Sequence, residues 1–312
     1  MNKKYKEEFI TYFNGKMVPD SEVKVHYSDS SMGWGYSVID CARTFAHRPF
    51  KLREHIERFY LSMKAVRIDP GMDLDEMERI TRAVLEANIP HLEPEMDVWL
   101  NQQISGGRTT RAIGGFEFAD PVLIISSPPL TLPDYAHLYD TGVHAVTPSI
   151  RHIPPQTLDS KIKHKSRLFM CMGEFEVKAV DPEAFSLFMD LNGNLTENKG
   201  ANFLIFSNGV LRTPKTDNAL DGVSRTTVLE LAKQLDIPTS EENIQPFHVI
   251  TADEAFFCST SYCILPVTRF NSFTVGSGMP GPIFNRLIQA WSERVHVDII
   301  AQAKGRVADI VS

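Results

Sequence analysis

Four short stretches of this 312-residue chain hold side chains whose types and spacing could do chemistry. The first is the basic run Lys161, Lys163, Lys165 and Arg167. On composition alone it is a solvated charge cluster. Its place changes that reading, because Lys163 follows a predicted strand and precedes a predicted helix, where a lysine can face a cleft. A lysine that condenses with a carbonyl must be neutral part of the time, which burial and nearby positive charge favour. The second is Glu197 in LTENKGANF, at a strand end, where a lone glutamate is ordinarily exposed. The third is DGVSR (221–225), which opens a helix. Ser224 reads as its N-cap, and the N–H groups of such a helix start can also receive an anion. The fourth is Ser259, Thr260 and Ser261, a hydroxyl cluster in a turn between two apolar strands, either a local turn device or a set of phosphate ligands.

Metal chemistry finds little support. DLNGNLTE (190–197) has some features of a calcium loop, but its glycine comes fourth instead of sixth and its glutamate too early. The cysteines at 41, 171, 258 and 263 form no CxxC pair and suit neither a zinc site nor a disulfide framework. Reduced thiols in the cytosol are the expectation.

The elements that must position these groups are legible from periodicity. Asn14-Gly15 between ITYF and KMVP marks a hairpin. Leu52, Ile56, Phe59, Met63 and Val66 form one apolar stripe of a helix over 51–68, and Met77, Ile80 and Val84 one over 74–88. Strands follow near 98–104 and 121–126. The stretch SSPPLTLPDY (126–135), with three prolines, reads as a linker and divides the chain into domains 1–130 and 131–312. The second half opens with a strand at 143–150 and a helix over 166–179. Asn192-Gly193 and Asn208-Gly209 then imply antiparallel hairpins. SRTTVLELAKQLDI reads as a helix, EAFFCSTSYCILPV as strand, turn and strand, and 282–294 as a last helix. Strands and helices segregate, so the class expected is α+β.

Bulk properties narrow the function. The composition, 43% hydrophobic and 23% charged, is that of a globular protein. A net charge of −7 argues against a general nucleic-acid binder. No apolar run approaches the roughly 20 residues of a membrane helix. The charged MNKKYKEEF start is no secretory signal, so no membrane role and a cytoplasmic location are expected.

In this order, the four stretches and their surroundings resemble the fold-type IV pyridoxal-phosphate (PLP) enzymes: branched-chain and D-amino-acid aminotransferases, (R)-selective amine transaminases and aminodeoxychorismate lyase. The resemblance runs from about Tyr12 to Glu293. WGYSVIDCARTF (34–45) is similar to the family's early strand and FKLREHIERF (50–59) to its following helix, which implies a phosphate-binding role for Arg58. PQTLDSKIKHKSRL (155–168) resembles the segment of the cofactor lysine and implies Lys163. LTENKGANF implies that Glu197 pairs with the cofactor ring nitrogen. The separation of 34 residues from Lys163 agrees with the branched-chain enzymes. ALDGVSR implies Leu220 against the ring face and Val223 and Ser224 at the phosphate, FFCSTSYCILPV implies Thr260 and Ser261 there, and GSGMPGPIFNRL (276–287) resembles the segment before the family's last helix.

The resemblance implies a smaller N-terminal α/β domain, a larger C-terminal domain rich in antiparallel strands, and a homodimer. It implies a transaminase that moves an amino group from an amino acid or small amine to a keto acid in two half-reactions, with a PLP lyase or a non-catalytic binding protein as the alternatives. The chain also departs from the branched-chain pattern. Leu168 stands where those enzymes carry a tyrosine, and Trp99 and Asn101 stand where their substrate tyrosine and arginine lie. Arg43, Arg108 and Arg111 are the remaining candidates for a substrate carboxylate, the last two in SGGRTTR, which reads as a mobile loop. Trp34, Tyr36 and Trp99 would supply aromatic surface.

Overall fold

The computed structural model describes residues 8–93 and 96–305. The charged start read above as no secretory signal lies mostly outside them. The chain divides into two compact units, Met1–Leu130 with Ile162–Ser166, and Thr131–Lys161 with Arg167–Ser312.

The first unit is built on a six-stranded sheet in the order Lys16–Pro19, Ile10–Phe13, Val122–Ser126, Trp99–Ser105, Ser37–Phe45, Arg48–Phe50, every neighbouring pair antiparallel. Asn14 and Gly15 both adopt positive φ, 45° and 92°, which gives the first hairpin the turn twist its strands require. The helices Leu52–Ala65 and Leu74–Asn88 lay their apolar stripes on the sheet, and Ile56, Phe59, Met63, Met77 and Val84 are buried with Val38, Leu100 and Ile104. Asp73 caps the second helix by accepting from Glu76 N at 2.8 Å.

Residues 162–166 join this unit although the expected division at 130 placed them with the later residues. They pair with the edge of Ser37–Phe45 that Arg48–Phe50 does not reach. Ile39 N donates to Lys163 O at 2.9 Å and Lys165 N to Ser37 O at 3.0 Å, and Ile162 packs on the core. SGGRTTR is likewise no loose loop. Arg108–Ala112 and Gly115–Ala119 form a two-stranded ribbon that turns at Ile113-Gly114.

The second unit carries a nine-stranded sheet. Its main path runs Phe185–Ser186, Val143–Val146, Cys263–Phe270, Glu254–Ser259, Ala201–Ser207, Val210–Pro214, Thr239–Glu242, and Glu197–Asn198 pairs beside Ala201–Ser207. The helices Val223–Gln234 and Pro282–Val295 pack on the central strands and on each other. Asn208-Gly209 makes the expected hairpin turn, with φ of 53° and 77°. Asn192-Gly193 also sits in an antiparallel reversal, with Met189 bridged to Leu195 and Asp190 N donating to Asn194 O at 2.8 Å. Asp190 accepts from Asn192 N and Asn194 N at 2.8 Å and from the side-chain amides of Asn194 and Asn218, winding this loop about one carboxylate. Such side-chain bonds to the backbone two and four residues on hold the turn. Among the described residues no helix is long and apolar enough to cross a membrane.

Candidate active site

In the first unit the helix Leu52–Ala65 turns His55, Arg58 and Ser62 toward the strand Ser37–Phe45. Asp40 on that strand is fully buried. It accepts from Arg58 Nε at 2.8 Å and Arg58 Nη2 at 2.9 Å, and its Oδ1 lies 2.7 Å from His55 Nδ1. Burial would raise the Asp40 carboxyl, but the Arg58 guanidinium and the His55 hydrogen bond outweigh it and hold the carboxyl far below the usual range. Burial in turn pushes the His55 imidazole down, against the opposing pull of Asp40. Ser62 Oγ accepts from Lys163 N at 3.1 Å, and the charge of Lys163 is felt at His55 and Cys41. The structure thus brings Arg58 and Lys163 to the same patch of this unit.

The substrate candidates separate into two sets. Trp34 packs on Phe116 and Tyr36 on Phe118, each at 4.6 Å between ring centroids. Phe116 pairs in register with Arg111, which puts Arg111 on the ribbon face of the Phe116 and Phe118 rings, whereas Arg108, opposite Ala119 and bridged through its backbone to Asp29, lies on the other face. Both arginines are exposed. Arg43 is elsewhere and is withdrawn as a substrate ligand. It is 2% exposed, lies 3.6 Å from Asp97 Oδ2, donates to Thr44 O and covers the Phe45 ring at 3.9 Å. Trp99, half-buried, pairs in register with Arg43.

In the second unit the register collects the other predicted residues at one end of the sheet. Glu197 stands opposite Asn202, and Asn202 opposite Cys258, one residue before the Ser259–Ser261 hydroxyls. Glu197 is buried, and its Oε2 accepts from Leu220 N at 3.0 Å. Asn202 Nδ2 donates to Leu220 O at 2.7 Å, so the main-chain N–H and C=O of Leu220 are both pinned. The helix after it begins at Val223. Its N-cap is Gly222, so Ser224 lies within the first turn and is not the cap expected from sequence. No side chain caps this start, which leaves its main-chain N–H groups oriented outward. A Cβ at Gly222 would come 1.9 Å from Asn202 Oδ1, so this close approach requires glycine. Ser259 Oγ and Ser261 Oγ lie 2.9 Å apart. Thr260 sits between them, half-buried.

Sequence reasoning overlooked Asp40, His55, Asn202 and His152, whose Nε2 lies 3.2 Å from Glu197 Oε1. The three-residue step from His55 to Arg58 on one helix face was the one available signal. The others are partners across strands or loops.

The sequence model of the Amino-transferase class IV family matches residues 37–270, three quarters of the chain. The chain belongs to this family. It is 29% identical over 299 residues to the branched-chain-amino-acid aminotransferase of Salmonella typhimurium, a match that covers 92% of each. It is 27% identical over 272 residues to the D-alanine aminotransferase of Bacillus licheniformis, covering 87% of this chain and 92% of the relative. The crystal structure of the branched-chain amino acid aminotransferase from Thermobaculum terrenum in its PLP form superposes with a TM-score of 0.76 at 22% identity, over 95% of this chain and 95% of that one, which shows the shared α+β fold.

The Thermobaculum terrenum enzyme is in its PLP form, so the group to test against the site is pyridoxal phosphate. The residues fit that group. A phosphate needs N–H and hydroxyl donors, which the uncapped start at Val223 and Ser224 and the Ser261 and Thr260 hydroxyls can supply. A pyridinium needs a buried carboxylate with lone pairs to spare, and Glu197 spends one on Leu220 N and has another beside His152.

Proposed function

We propose that Lys163 holds the cofactor and serves as the proton carrier of the transamination, with Glu197 as the partner of the ring nitrogen. Pyridoxal phosphate, when bound, supplies an electron sink for charge that develops at the substrate carbon bearing the amino group. Lys163 Nζ, as a neutral amine beside that carbon, would take its proton and return one in the reverse direction. Glu197, ionised, accepts from the ring N–H and favours the cationic ring. Val223 and Ser224 through main-chain N–H groups, Thr260 and Ser261 through hydroxyls, and Arg58 through its guanidinium bind the phosphate. The Leu220 side chain covers an apolar ring face. The observation that carries this reading is the convergence of Glu197, Leu220 and the Val223 helix start through Asn202.

Arg108 and Arg111 are the cations assigned to a substrate carboxylate, and Trp34 and Tyr36 with Phe116 and Phe118 favour a bulky apolar substituent. Both relatives described above are named for transamination, and neither the fold nor the site calls for a lyase. A cytoplasmic homodimer is the assembly we assign. A reducing compartment agrees with a chain in which Cys258 and Cys263 are buried and no disulfide joins the four cysteines.

The test is spectral. The purified enzyme with its cofactor should lose its visible absorbance when an amino donor is added and recover it when a keto acid follows. Release of a keto product with no acceptor present would instead mark a lyase.

A further inference from the structure

His152 lies in the second unit and is 5% exposed. Its ring meets Phe169 edge-on at 5.4 Å and Phe188 at 6.5 Å, and its main-chain N donates to Met189 O at 2.9 Å. Its Nε2 lies 3.2 Å from Glu197 Oε1 and its Nδ1 lies 3.1 Å from the main-chain oxygen of Ile153. Both ring nitrogens therefore face oxygen acceptors. A neutral imidazole has one N–H and one lone pair, so it can donate to only one of the two. At the other contact a lone pair would face a lone pair inside an apolar box, where an unsatisfied polar contact is costly.

Two protons on the His152–Glu197 pair remove the conflict. They can be arranged as an imidazolium beside a carboxylate, or as a neutral ring beside a carboxylic acid. Only the first leaves Glu197 with the negative charge that a ring N–H partner needs. It also satisfies each group. Glu197 Oε2 receives Leu220 N and Oε1 receives Nε2–H, while Nδ1–H goes to Ile153 O.

We propose that His152 is a positioning residue for the cofactor chemistry: a buried imidazolium that keeps Glu197 ionised and fixes its rotation, so that the remaining lone pairs are presented to the cofactor's ring nitrogen. It acts through Glu197 and touches no substrate. The proposal rests on the assignment of Glu197 to the ring. Its consequence is that the strength of the electron sink is set by a third group that the sequence motif around Glu197 does not contain.

Three measurements test it. In the cofactor-free protein, nitrogen-15 NMR of the labelled His152 ring should show two protonated nitrogens at neutral pH, and a neutral ring in Glu197→Gln. A neutral ring in the wild type overturns the proposal.

The second measurement compares His152→Gln with His152→Phe, each loaded with cofactor and each checked for folding by thermal melting. Gln keeps a donor toward Glu197, whereas Phe fills the aromatic box and donates nothing. If His152 positions Glu197, kcat of the Phe variant falls below that of the Gln variant by about tenfold or more, the scale of one charge-assisted hydrogen bond. If the ring only fills space, the Phe variant is the more active, and the proposal fails. Should both variants misfold, the NMR result decides alone.

The third measurement uses cofactor labelled with nitrogen-15 in its ring. A protonated ring nitrogen in the wild type that loses its proton in the Phe variant supports the chain of contacts. An unprotonated ring nitrogen in a wild type whose His152 is doubly protonated sinks the assignment of Glu197 to the ring, and leaves the His152–Glu197 ion pair standing.

Discussion

Asp40 takes one whole edge of the Arg58 guanidinium, Nε on Oδ2 and Nη2 on Oδ1, and His55 braces the same carboxylate. Arg58 is therefore held rigid before any ligand arrives, and Asp40 is left buried and charged if Arg58 is removed. Arg58→Ala should weaken cofactor binding by ~1.5–3 kcal/mol and destabilise the fold by about 3–5 kcal/mol, the cost of breaking a buried pair. Equilibrium dialysis and denaturant melts separate the two effects. Unchanged cofactor affinity would leave Arg58 with a purely structural role.

The same pair sets an acid limit. The Asp40 carboxyl is depressed in the folded state, so its contribution is complete above the unfolded value of about 3.9 and is lost as pH falls through the lower folded value. The stability difference between wild type and Asp40→Asn should be flat above about pH 5 and shrink below about pH 4. A gap that narrows instead between pH 6 and 8 would point to His55 as the titrating group.

Lys163→Ala should abolish the cofactor's visible band and turnover. Lys161→Ala and Lys165→Ala should retain both, because Lys161 is an exposed side chain beside Asp159. A dead Lys161 variant would displace the assignment by two residues.

Glu197→Gln should still take up cofactor through the phosphate contacts while its rate falls in the chemical step. Single-turnover kinetics at saturating donor reads this directly, and near-normal turnover would exclude the role.

Gly222→Ala places a methyl where Asn202 Oδ1 already lies. The Asn202–Leu220 bond must then break or the helix start must shift. Stability should drop by roughly 1–3 kcal/mol, the usual cost of overpacking, and phosphate affinity should fall with it. Fluorescence titration with cofactor and a thermal melt are sufficient, and a variant unaltered in both would show that the Gly222 contact is slack.

Arg108→Ala should raise KM for a keto acid and leave an amine without a carboxylate nearly unaffected, with Arg111→Ala a smaller version. Equal effects on both substrates, or none, would return these arginines to ordinary solvated surface.

The elements were legible wherever period and punctuation agree. The stripe of Ile56, Phe59 and Met63 marked its helix, and Asn14-Gly15 and Asn208-Gly209 marked their turns. Asn192-Gly193 marked a reversal as well, and Asp190, two residues earlier, holds that turn through Asn192 N and Asn194 N. The Arg108–Ala119 ribbon went unread because its residues are exposed on both faces, and a strand with no buried face has no period-two signature. Lys163 and Glu197 came from motif order. Asp40, His152 and Asn202 did not, since each acts on a residue 18, 45 or 18 positions away along the chain. Such distances are set by register and loop path, which local pattern does not encode.

The pairing of residues 163–165 with the Ser37–Ile39 edge also bears on how the chain is made. A ribosome that has released only the first 130 residues has exposed a sheet whose inner strand still lacks a neighbour over those three positions. Its completion waits until 31 residues of the second unit, Thr131–Lys161, have emerged and the chain has doubled back. An open strand edge is a template for pairing with other chains. The nascent first unit therefore carries an open strand edge in that interval, and the segment that closes it is the one that carries Lys163. Truncation at the 130 boundary, the obvious place to cut the protein in two, would produce a piece frozen in that vulnerable state.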